Sequence, residues 1–158
     1  MPSIDWGDWY LEALDGLLAT VEAADVNWAE DPVGDPFIFA GQRRPAGIKY
    51  PHAMILRFVK RRDDAESSRR DEVHRIDASV SVFREGDPQK PEQNFRQAMR
   101  DMAAIETALY DDRSLGGAAK YVVVDQADPF SLENASGTTE TVGDIQLTIT
   151  KTADHPRP

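Results

Sequence analysis

Residues 52–61, HAMILRFVKR, and 73–84, VHRIDASVSVFR, decide the fold. In the second stretch Ile76, Ala78, Val80 and Val82 alternate with Asp77, Ser79, Ser81 and Phe83. Alternation of that kind predicts a strand with one buried face and one mainly polar face, as in an antiparallel sheet. In the first stretch Met54, Leu56 and Phe58 are expected to point one way and Ala53, Ile55 and Val59 the other, with Arg57 among them. The connection, VKRRDDAESSRRDEVHR from Val59 to Arg75, holds six lysines and arginines against five carboxylates. Its near balance of charge predicts a solvated hairpin tip projecting beyond the sheet.

Working outward, Ser3 caps a helix in which Trp6, Tyr10, Ala13, Leu14, Leu17, Leu18 and Val21 recur at helical spacing, ending near Ala24. Trp9 stands beside that stripe, as a contact aromatic would. Asp31-Pro32, Gly34 and Asp35-Pro36 mark a loop, Pro36-Phe37-Ile38-Phe39 is short and extended, and GQRRPAGIKYP (41–51) is too rich in Gly and Pro for a regular element. Pro91 and Glu92 open a second helix running to about Tyr110, with Phe95, Met99, Met102, Ile105 and Leu109 on one stripe. Residues 120–126 and 141–150 read as strands, 127–140 as a long polar loop, and 153–158 as a flexible tail. The expected fold is α+β, in the order α-β-β-β-α-β-β. Its antiparallel sheet of about four to five strands carries both helices on one face, with a long charged β-hairpin. Residues 1–152 form a single domain, since the chain of 158 residues buries a sufficient core without staples.

No catalytic constellation emerges. The chain has no cysteine, which excludes disulfide and thiolate chemistry. His52, His74 and His155 lack metal-ligand spacing and read as surface or strand-end residues. No GxSxG, GxGxxG or Walker lysine is present, and Gly116-Gly117 reads as a helix C-terminal cap. Asp125, Asp128 and Glu133 could approach one another beyond a strand end and bind a cation, as acidic loops in so charged a chain also do by chance, and Asn134-Ala135-Ser136 is a sequon without an export signal. The catalytic, metal and cofactor-binding sets are therefore empty, and the chain is not expected to be an enzyme. Phe83 beside Asp77, Ser79 and Ser81 is a poor platform for bases, and a net charge of -10 opposes nucleic acid. No apolar run reaches the length that spans a bilayer, so no membrane is expected.

The charge pattern is more informative. Aspartates number 18 against 10 glutamates, and lysines 5 against 13 arginines, the balance of a protein working in high salt. Residues 1–40 hold nine acids and no base, residues 41–100 are net +5, and residues 101–158 are net −6. Subunits with charge-complementary neighbours show such segregation, and so does an uneven surface with no partner. The acidic first-helix region and the basic 43–75 region are the surfaces expected to meet. Candidate contact residues are Trp9, Trp28, Phe37 and Phe39, with Arg43, Arg44, Arg61, Arg62, Arg69 and Arg70.

The succession of an amphipathic helix, PFIF, YPHAMILRFVKRR, RIDASVSVFREGD, PEQNFRQAMRDMAAIETALY, KYVVVDQADP and DIQLTITKT resembles the tail-terminator (tail-completion) proteins of long-tailed bacterial and archaeal viruses. The resemblance spans about residues 4–151, and the Asp-rich, Lys-poor surface places this member in a virus of a halophilic archaeon. It implies a structural virion protein without cofactors. Such proteins form a ring, typically a hexamer, that caps the tail tube, stops its growth and joins the tail to the neck of the head. The implied partners are further copies of the chain, the tail tube protein and a neck (head-completion) protein. Genome DNA passes through the lumen without sequence-specific binding. The implied location is the tail–neck region of a virion assembled in the host cytoplasm. The other readings are a different neck or head–tail connector protein and a small cellular α+β adaptor or ligand-sensing domain.

Overall fold

A computed structural model of the chain describes residues 6–62, 71–133 and 137–154. The elements follow in the order α1 (Trp6–Ala23), β1 (Ile38–Ala40), β2 (His52–Arg62), β3 (Asp71–Glu85), α2 (Pro91–Asp111), β4 (Tyr121–Glu133) and β5 (Thr139–Asp154). The class and the order are those expected from the sequence. The five strands form one sheet in the order β1-β2-β3-β5-β4.

The sheet is antiparallel, as expected, in all neighbouring pairs but the first. β1 runs parallel to β2 with Ile38 beside Ala53, while the other neighbouring pairs are antiparallel. The cause is the 41–51 loop, which carries the chain back along the sheet before β2 begins. A tight hairpin would have forced the opposite direction.

Ile76, Ala78, Val80 and Val82 of β3 and Ile145, Leu147 and Ile149 of β5 lie under the two helices and are buried. Trp9, Ala13, Leu17 and Val21 of α1 and Met102, Ile105 and Leu109 of α2 close over them. Each of the valine, leucine, isoleucine and methionine side chains contributes about 1.5–3 kcal/mol by leaving water. Gly143 sets how closely α2 approaches the sheet. A Cβ there would stand 2.8 Å from Met102 Cγ and 3.1 Å from the Ala98 carbonyl oxygen.

Four local expectations are corrected. Trp9 belongs to the core, because the expected stripe, whose Ala13, Leu17 and Val21 are buried and whose Tyr10, Leu14 and Leu18 pack against them, extends to it along the 9-13-17-21 line; its Nε1 donates to the Ala118 carbonyl at 2.7 Å. Phe95 and Met99 are exposed, at 55% and 47%. Buried Asp101 turns α2 away from them by accepting two hydrogen bonds from the Arg84 guanidinium, at 2.6 and 3.0 Å. In β2 the register shifts between Ile55 and Arg57, so Leu56 is an extra residue. Phe58 therefore joins Ala53 and Ile55 under the helices, while Val59 turns to the other face. Lastly, β4 and β5 are longer than expected, so most of the 127–140 segment is strand. Residues 125–128 lie on the edge strand and are all exposed, so no alternation betrayed them.

Candidate subunit interface

The face of the sheet away from the helices divides in two. At one end the 41–51 loop covers it. Met54, Phe83 and Val142 form a small second core there, flanked by Phe39, Tyr50, Leu56 and Leu132. Glu140, at the start of β5, lies under this cover and is 1% exposed. It accepts hydrogen bonds from Arg44 and, at 2.7 Å, from the Tyr50 hydroxyl. The Arg44 guanidinium also lies 4.5 Å from the centre of the Phe83 ring. Burial and the bond to Glu140 raise the Tyr50 pKa above its usual value, so the phenol stays a donor.

His52 completes this cluster. It is fully buried, stacked on Phe83 at 5.1 Å, and its Nδ1 donates to the Lys49 carbonyl at 2.9 Å. Nε2 has no hydrogen-bond partner among the described residues. Burial, aided by the neighbouring Arg44 charge, lowers its pKa to about 4 against the pull of the Lys49 carbonyl and Glu140. His52 is the strand-end residue expected, the first of β2, but neither it nor His74 lies at the surface: both are buried, His74 with its ring 6.3 Å from that of Trp9. His155 lies outside the described residues. Nothing in the sequence distinguished Glu140 or His52 from surface residues, because the loop that buries them is distant or irregular.

The other end of this face is open. It holds a cleft of about 480 Å³ with Leu56, Phe130 and Leu132 beside Asp77, Asp125 and Asp144. The carboxylates are held by neighbours: Ser81 donates to Asp144 at 2.7 Å, Thr148 to Asp125 at 2.6 Å, and Arg61 to Asp77 at 2.9 Å.

The residues named from sequence do not form one patch. Trp9 is core, and Trp28 is half-buried against the main core. Phe37 and Phe39 line a surface cleft of about 630 Å³ with Pro32, Pro36, Pro45 and Lys49. Arg43 is exposed, whereas Arg44 is committed to Glu140. Arg61 is exposed and paired with Asp77. Arg62 ends β2, its side chain outside the described set, as are Arg69 and Arg70. Exposed apolar residues that the sequence reading placed elsewhere or passed over include Leu11, Val33, Val59, Phe95, Met99 and Phe130.

Phe83, the single aromatic considered for base stacking, is covered by Arg44 and His52. Asp125, Asp128 and Glu133 are strung along β4, and no group of three metal-ligating side chains occurs among the described residues. No described helix is long and apolar enough to cross a membrane. No protein-family model matches the chain, and no curated protein matches it.

Proposed function

We propose that this chain is a ring-forming tail terminator of a long-tailed virus of a halophilic archaeon. It caps the tail tube, stops tube growth and joins the tail to the neck. The observation that carries the reading is the order α-β-β-β-α-β-β within one sheet that has both helices on one face. That is the succession on which the resemblance to tail terminators rests. The two hairpins, β2–β3 and β4–β5, are long enough to reach neighbouring subunits or the tube. Exposed Phe95, Met99 and Phe130 supply apolar contact where molar salt screens charge. The acidic surface keeps individual subunits soluble in that salt.

The test is assembly with the tube. Purified protein is mixed in high salt with tail tubes of the same virus and imaged by negative stain. A ring at one end of each tube and an arrest of tube extension are expected. Tubes that extend unhindered and carry no cap overturn the reading. Rings that bind neck fractions but never tubes favour the connector alternative.

A further inference from the structure

The two outer edges of the sheet are open at the same height and carry opposite charge. β1 ends beside Ile55, so β2 from Leu56 onward has no strand on its outer side among the described residues; the Phe58 carbonyl accepts from the Tyr10 hydroxyl of α1 and keeps a second lone pair. This edge reads LRFVKRR, residues 56–62, with four bases and no acid; Arg61 is paired with Asp77 across to β3, and Arg57 is the exposed base at the start of the edge. At the far side β4 is the last strand. Its first part is closed off by α2 and the loop after it: the Tyr110 hydroxyl takes the Val124 N–H at 3.4 Å, and Arg113 donates to the Val122 carbonyl at 3.3 Å. The next residues, Asp125 to Asp128, are exposed and have no base among them. Pro129, which lacks an N–H, then limits the ladder. The register runs straight across the sheet from Arg57 through Ser79 and Gln146 to Gln126.

An open strand edge is a template for another chain, and charge decides which one. Two basic edges repel, as do two acidic edges, so symmetric pairing of like with like is disfavoured. Basic against acidic is the favoured combination, and it joins different patches of successive copies, as a closed ring requires.

We propose that copies of this chain join head to tail by pairing the outer edge of β2 at 57–59 with the outer edge of β4 at 126–128 of the next copy. The proposal deepens the ring reading above and rests on it for closure into a ring. β2 and β5 run one way and β3 and β4 the other, so a neighbour carried round a ring axis inclined to the strands meets this edge antiparallel, with a stagger. A stagger of about two residues from level places Arg57 opposite Asp128 and Val59 opposite Gln126. The face is consistent: Arg57 and Val59 pair with Ser79 and Asp77, and Gln126 and Asp128 with Gln146 and Asp144, all away from the helices. In molar salt the backbone ladder and Val59 hold the joint, and the charges select its direction.

The native absence of cysteine makes the test clean. The double variant Arg57→Cys/Asp128→Cys is oxidised and run on a non-reducing gel, with its mass in solution measured by light scattering. Within one chain these positions are three strand spacings apart, about 14 Å, too far for a disulfide. A ladder of covalent multimers that reduction collapses is expected, and a mixture of the two single variants should stop at dimers. Asp128→Arg should dissociate the assembly, and Arg57→Asp in the same chain should restore it. A non-covalent multimer that yields no ladder overturns the edge pairing while leaving the ring reading in place. Covalent dimers from either single variant alone also overturn it, since they report like-with-like pairing. A monomer without a ladder overturns the pairing too, and the ring reading then answers to the tube-capping result.

Discussion

Arg44 and Glu140, 96 residues apart in the chain, form an ion pair that pins the 41–51 loop over one end of the sheet. The carboxylate is 1% exposed and the arginine side chain 29%. Removing the acid leaves a cation and the Tyr50 hydroxyl facing a cavity. Glu140→Ala should cost about 2–3 kcal/mol in a urea titration, less than a fully buried pair because Arg44 still meets water. Glu140→Gln retains an acceptor for Tyr50 and should cost less than Glu140→Ala. Equal losses for the two variants would contradict this assignment.

His52 makes stability depend on pH. Its folded pKa lies near 4 against an ordinary 6.5, so between these values the unfolded chain holds more protons. Stability therefore falls as pH drops from 6.5 toward 4, by at most about 1.4 kcal/mol per pH unit. Urea midpoints measured across that window at constant salt should fall in the native chain. The same profile for His52→Phe should be flatter, since Phe keeps the stack on Phe83 and cannot be charged.

Gly143 is the point of closest approach between α2 and β5. In Gly143→Ala the added methyl meets the Ala98 carbonyl as well as Met102, and backbone cannot swing away as a side chain can. A loss of about 1–3 kcal/mol is expected from overpacking. The thermal midpoint should drop, and Met102→Ala in the same chain should not restore it, because the carbonyl contact remains.

Phe95 and Met99 face solvent, so Phe95→Gln and Met99→Gln should change stability by no more than about 0.5 kcal/mol. A loss of tube capping with an unchanged thermal midpoint would assign this patch to contact with the tube.

How far the sequence disclosed this fold follows from where burial is one-sided. β3 was legible because Asp77, Ser79 and Ser81 stay polar against Ile76, Ala78 and Val80, so alternation survives. The extension of β4 past Gln126 was not, because an edge strand exposed on both faces has no alternation to display. The parallel setting of β1 depends on the path of an irregular loop. α2 was recognised as a helix, yet its inward face was misplaced by about one residue, since the Arg84–Asp101 bond, and not hydrophobicity alone, sets its rotation. The contact candidates fared according to their surroundings: Trp9 went to the core, Arg44 to Glu140, and Arg61 to Asp77. An arginine pattern cannot reveal that the acid it meets lies in its own chain.

In the proposed function this chain closes into a ring on the end of a tail tube. The most direct measurement is electron cryo-microscopy of tail tubes of the same virus, in high salt, with and without the protein. A closed ring of density is expected at one end of the tubes only when the protein is present, with tubes that cease to lengthen. Bare tube ends, together with a monomeric mass for the protein in the same mixture, would contradict the proposed function.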